Sequence, residues 1–250
     1  KPDTELQVLG HLHAVGTATE TILFTSWEDT GPRQWTGLIF DGGTGYLEYV
    51  TVRFGGYSNN TIVKELGFWY GANIAVRNVL SGSLQIASSQ IVSASAGSNN
   101  AKDFGIYLEN SHVVVADTVF QGNGNNGLDY AFYATGAHTA ITLTNNIFDR
   151  NAGWPVRVEP PHLHMQWLSD SIFTENGNQE DGNQNRVLIK GGEIEEDVTL
   201  SYQDGLAGYE VTGSISVPVG IRMTMMPGVT VLGRRYVELQ IAGYLDAAGT

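Results

Sequence analysis

DTVFQGNG (117–124), NNIFDRNAG (145–153) and DSIFTENGN (170–178) are three renderings of one frame. Each sets a β-branched residue before a phenylalanine, admits two variable residues, and then places an asparagine. Phe120, Phe148 and Phe173 lie 28 and 25 residues apart, and Asn123, Asn151 and Asn176 keep the same spacing. Ile91-Val92 with Ser95 extends the frame one period earlier. A period of 25–28 residues that holds three short strands is too short for a propeller blade and suits one coil of a parallel β-helix. Stacked coils lie ~4.8 Å apart, so equivalent residues form ladders along the axis. Phenylalanine on phenylalanine then fills the interior, and an asparagine column at a bend bonds amide to amide.

The remainder of the chain agrees with this frame. Short stretches rich in Val, Ile, Thr and Phe recur, among them TILFT, TGLIF, LEYVTVRF, FGIYLEN, HVVVADTVF, AITLTNNIF and PVRVE, parted by Gly, Asn, Asp or Ser. These read as strands. In HVVVADTVF the apolar residues are nearly continuous, as tightly stacked parallel strands require. In AITLTNNIF, Ile141 and Leu143 point one way and Thr142 and Thr144 the other. The expected fold is all-β, a single right-handed parallel β-helix over residues 1–250 with about nine or ten coils, roughly 45 Å long.

Composition narrows the partners. Thirteen basic residues stand against 26 acidic ones, a net charge of −13, which repels nucleic acid and anionic membranes. The absence of cysteine excludes a disulfide framework and thiol catalysis. No apolar run reaches the ~20 residues of a membrane span. The opening ELQVLGHLHAVGT (5–17) returns as ELQIAGYLDAAGT (238–250), identical at eight of thirteen positions at an offset of 233. The two stretches are expected to be equivalent strand–turn–strand steps of successive repeats, so the chain reads as a piece of a tandem array. Open coil edges in such an array invite end-to-end contacts between copies.

A longer phrase carries a resemblance. Tyr209-Glu210-Val211, Gly213-Ser214-Ile215-Ser216-Val217 and Met223-Thr224-Met225-Met226-Pro227-Gly228-Val229-Thr230-Val231 lead into the closing copy. The opening copy continues through Ile22-Leu23-Phe24-Thr25-Ser26, Gly31-Pro32, Trp35-Thr36-Gly37-Leu38-Ile39-Phe40 and Leu47-Glu48-Tyr49-Val50-Thr51-Val52. This order of words resembles bacterial secreted or cell-surface right-handed parallel β-helix repeat proteins, which have the pectate-lyase-like superfamily fold. About half the chain carries it, and the middle coils match only the general coil pattern. The resemblance implies the fold, a secreted or cell-surface location, and a structural role for Trp35. It divides on function, because surface proteins, adhesins and carbohydrate-active enzymes share the pattern.

Several residues are candidates for chemistry. His11-x-His13 and His162-x-His164 each put two imidazoles on one side of a strand, as a metal pair would. The closing copy has Tyr244 and Asp246 in place of His11 and His13, which marks these as tolerant positions, and no metal ligands are assigned. No cofactor is expected; calcium is the ion that carboxylate-rich loops would take. Paired catalytic carboxylates with their basic partners are not found, and no catalytic residue is assigned. Asp103, Asp129 and Asp149 fall 26 and 20 residues apart, so adjacent coils bring the first pair closest. Long loops are expected at 55–67, 95–103, 122–130 and 177–185. Emerging from one corner, they would wall a groove lined by Trp69, Tyr70, Asp103, Asp129, Tyr133 and Trp154, a set suited to a polysaccharide or cell-surface glycan. The expected function is a non-catalytic stalk or adhesin that binds glycan in that groove. The alternative is a polysaccharide lyase or glycoside hydrolase with an acidic site in the same place.

Overall fold

A computed structural model of the chain describes residues 4–57, 62, 70–80, 83–95, 102–177 and 185–249, the side chain of Tyr70 excepted. Every strand pair in it is parallel, and successive partners are 22–39 residues apart, as at Val187↔Tyr209 and Gly45↔Leu84. Nine strands stack in the first sheet, from Glu5–Val8 through Tyr130–Thr135 to Val231–Gly233. The second and third sheets hold six strands each, and a fourth and fifth hold three each. Over the described residues the chain is therefore a parallel β-helix of nine coils, three strands to a coil.

The repeated frame does in space what its spacing requires. Phe120 pairs with Phe148, and Phe148 with Phe173, in the third sheet, with Ile91 beneath Phe120. The rings stack at 4.7 and 5.0 Å, 9° and 10° from parallel, a separation set by the strand spacing itself. All three are buried among aliphatic side chains from the inward faces of all three sheets. Three residues on, the asparagines form a column at the turn into the first sheet. Asn123 Nδ2 donates to Asn151 Oδ1 at 3.0 Å, and Asn151 Nδ2 to Asn176 Oδ1 at 2.8 Å. The same oxygens accept the backbone N–H of the residue below, and each amide also donates to the carbonyl of Ile91, Phe120 or Phe148. Asn73 and Asn185 extend the column at its two ends, while the position expected for Ser95 is filled by Ala94, whose N–H Asn123 caps.

A second polar ladder runs up the corner between the second and third sheets. The N–H groups of Ser89, Thr118, Asn146 and Ser171 donate to side-chain oxygens of Thr118, Asn146, Ser171 and Gln203. The residue before each rung is left-handed: Ser88, Asp117, Asn145 and Asp170 have φ of 49–54°. Four non-glycine residues in that region cost roughly 1 kcal/mol apiece, and the ladder that follows each of them offsets the cost.

Among the described residues the stack is interrupted once. Trp154–Val158 and Arg186–Ile189 continue the first sheet, but Leu168–Ser169 and Ile172–Thr174 end the second and third. Between them, Pro160–His162 forms a 3-10 turn. Two adjacent prolines cannot donate to a ladder, so the coil leaves its register there. The three upper coils build the fourth and fifth sheets instead. Glu5–Val8 and His11–Val15 thus lie in the first and second sheets, whereas their near-copies Leu239–Ile241 and Tyr244–Ala247 lie in the fourth and fifth. Both copies are strand–turn–strand steps, set on different faces of the solenoid.

Candidate functional site: the outer face of the first sheet

Inward side chains of the first sheet belong to the main core, and its outward side chains form a second apolar cluster. In that cluster Ile39, Ile62, Ala72, Ala75, Phe104, Tyr107, Tyr130, Trp154 and Leu188 are buried and Tyr133 is half-buried. Parallel register builds it in rows. One row is Ala72, Phe104, Tyr130 and Trp154; the other is Ala75, Tyr107, Tyr133 and Arg157. Gly105 lies between the rows, where a Cβ would stand 2.5 Å from the Ala131 carbonyl. Four rings interlock: Phe104 stacks on Tyr130 at 6.0 Å and on Tyr133 at 5.4 Å, and Tyr107 tilts against Phe104 at 5.3 Å.

Most of the expected lining residues do converge here. Tyr70 pairs in register with Lys102, and Gly71 with Asp103, so the strand places that position at the same edge. Trp69 lies outside the described residues. Asp103 and Asp129 are neighbours on adjacent coils: the Asp103 N–H donates to Asp129 Oδ1 at 3.0 Å. Both are fully buried. Asp129 Oδ2 accepts the N–H groups of Asn125 and Asn126 at 2.6 and 2.9 Å, so this carboxylate holds the 125–129 turn closed. Burial nonetheless pushes its pKa above the usual range against those three hydrogen bonds. Asp149 stands apart on the third sheet, bound to Gln121 and Arg150. Among the described rings of the expected set, Tyr130 and Trp154 are nearly covered and Tyr133 is half-buried.

Two residues of this site escape sequence reasoning. Arg157 lies 4.4 Å from the centre of the Tyr133 ring and 5.3 Å from that of Tyr130, and its Nη1 donates to the Tyr130 hydroxyl at 3.2 Å. Lys102 stands close by; burial first, then the Arg157 charge, lowers its pKa. An arginine in PVRVE reads as a solvated strand position, and only the register that sets it beside Tyr133, 24 residues away, gives it a partner.

No family model, curated protein or solved structure matches the chain. The reading of the site therefore rests on its own geometry.

The histidine pairs are resolved individually. His11 Nδ1 meets Thr44 Oγ1 at 2.8 Å, and His13 stacks on Tyr46; both histidines are exposed. His162 and His164 do not share a strand face, because His162 closes the 3-10 turn and His164 follows in irregular chain. His162 Nε2 reaches the Gly136 carbonyl at 2.9 Å while its Nδ1 accepts the Glu159 N–H at 3.2 Å. His164 does the same with the Ile141 carbonyl and the Gln166 N–H. Both rings are thereby neutral Nε2–H tautomers with both nitrogens engaged. Among the described residues, no group of three or more His, Cys, Asp or Glu is placed to hold a metal ion. None of the described helices is long and apolar enough to cross a membrane.

Proposed function

We propose that the chain is a non-catalytic module of a secreted or cell-surface protein, a β-helical stalk or adhesin that binds glycan on the outer face of its first sheet. The observation that carries this reading is the convergence of Tyr133, Tyr130, Trp154, Arg157 and Lys102 at one edge of that sheet, beside the 122–129 turn. Sugar recognition uses a flat ring for stacking and a few fixed polar groups for the hydroxyls, and a rigid sheet holds both in place. The enzyme alternative needs two carboxylates facing an open groove. Asp103 and Asp129 are buried, and Asp129 commits its oxygens to three backbone N–H groups. That use of the pair supports a scaffold role.

Contacts between copies along the axis belong to the same proposal. Leu239, Tyr244 and Leu245 of the last coil and Leu6, Leu9 and Leu23 of the first are each more than two-fifths exposed. Sedimentation across a wide concentration range should show association, and a strictly monomeric chain would remove this part.

The glycan reading is tested by pairing a glycan array with assays for reducing-sugar and unsaturated-sugar release on neutral and acidic polysaccharides. Binding without release, lost in Tyr133→Ala, is the expected result. Product release would make the chain an enzyme and overturn the proposal.

A further inference from the structure

Nine arginines stand in the described part of the chain, and five of them meet a carboxylate. Arg53 pairs with Asp29, Arg77 with Asp41, Arg150 with Asp149, and both Arg186 and Arg234 with Glu210. Arg33, Arg222 and Arg235 do not, but they are exposed and water serves them. Arg157 is the exception. It is half-buried, and among the described residues its shielded Nε has no acceptor and no carboxylate lies within ion-pair distance of it. Lys102 beside it has no ion pair among the described residues either. Asp129, whose charge acts on Lys102, is already held by three backbone N–H groups.

Two cations share one partly buried corner of a chain whose net charge is −13. Partly burying an arginine without a counter-ion is costly, and leaving its Nε without an acceptor adds to that cost. Stacking on Tyr133 and Tyr130 offsets part of it and fixes the plane of the guanidinium. With its face on the tyrosines, Nη1 on the Tyr130 hydroxyl and Nε shielded, the guanidinium keeps Nη2 for an outside partner, and an oxygen of a carboxylate or a sulfate suits it.

We propose that Arg157 and Lys102 bind the single carboxylate or sulfate of a ring-bearing ligand, such as one acidic sugar within an otherwise neutral glycan, with the ring lying against Tyr133. This inference rests on the glycan reading above and adds the charge of the ligand. The ligand carries isolated charges because a polyanion would meet the field of the other acidic residues. Polyuronate is accordingly a poor ligand.

The test uses the full chain with its lysines reductively dimethylated with carbon-13, which keeps their charge. Lys102 is one of four lysines and is assigned by its absence in Lys102→Gln. Sodium glucuronate and glucose 6-sulfate separate the two anion chemistries, and glucose is the neutral control. At least one anion should move the Lys102 signal saturably and raise its pH midpoint by about one, as a new neighbouring anion does; glucose should do neither. Arg157→Gln should weaken that response at least tenfold and Arg157→Lys less, with melting temperatures close to the parent's. A polyuronate should bind more weakly per sugar than glucuronate.

If neither anion moves Lys102, or glucose moves it equally, the charge assignment is wrong. Array binding to a neutral glycan would then leave the proposed function standing. If the anions act on Lys102 through Arg157 while the array finds no glycan, the glycan reading falls and the anion site remains.

Discussion

Asn151 shows how much one side chain can hold together in this fold. Its oxygen takes both the N–H and the amide of Asn123, and its amide serves the Phe120 carbonyl and Asn176. Alanine there orphans several buried groups at once, each worth about 1–3 kcal/mol. Asn151→Ala should therefore lower unfolding stability by on the order of 3 kcal/mol or more, measured by urea titration, whereas Asn145→Ala, at an exposed corner, should cost far less. A loss below about 1 kcal/mol at Asn151 would mean that water replaces the ladder. His162 adds a pH dependence. Burial holds its pKa below the ordinary value of 6.5, outweighing the Gly136 hydrogen bond and the nearby Glu159 charge. A base with a depressed folded-state pKa contributes stability that is fully present above the unfolded value and is lost as pH falls through the folded one. Melting temperature should thus drop as pH is lowered from about 7 toward 5. His162→Gln should start lower and show a shallower drop over that range; an unchanged slope would place the proton uptake elsewhere.

At the scale of elements, the strands are locked by columns of like residues. Phe148 lies between Phe120 and Phe173 at 4.7 and 5.0 Å, so Phe148→Ala leaves a cavity with rings on both sides. A loss of about 3–5 kcal/mol is expected, and Phe148→Leu should recover most of it. Circular dichroism melts of the two variants compare them directly. This column was legible because one residue type recurs at one spacing. The second ladder was not, although its backbone geometry is as regular. Ser89, Thr118, Asn146, Ser171 and Gln203 do the same work with four kinds of side chain, since any short acceptor satisfies the N–H below it. The candidate site divides in the same way. Asp129, Tyr133 and Trp154 were legible as polar and aromatic residues beside loops. Arg157 and Lys102 were not, because loop lengths that vary between coils hide which strands are neighbours until the register is known. The fate of His162 and His164 was hidden too: a shared strand face presumes a strand, and Pro160-Pro161 removes it.

For the whole molecule, the break after the sixth coil matters most. A solenoid's stability is close to a sum of coil terms and neighbour terms, so it yields first where neighbours share least. Between the sixth and seventh coils only the first sheet runs through, with register at Val156↔Val187, Arg157↔Leu188 and Val158↔Ile189. Beside it, among the described residues, stand one isolated bridge, Ile172↔Asp204, and the Ser171–Gln203 and Ser201–Leu168 hydrogen bonds. Trp167 closes the gap from inside, fully buried and edge-on to Tyr209 at 6.2 Å. Native-state hydrogen exchange should resolve two blocks, with amides of residues 192–247 opening at lower free energy than those of residues 70–149. Trp167→Ala should widen the difference by loosening the upper coils while the lower block keeps its protection, at a cost of about 3–5 kcal/mol to the upper block. Uniform exchange along the axis in the parent chain would show that the continuous first sheet and the shared core couple all nine coils into one cooperative unit.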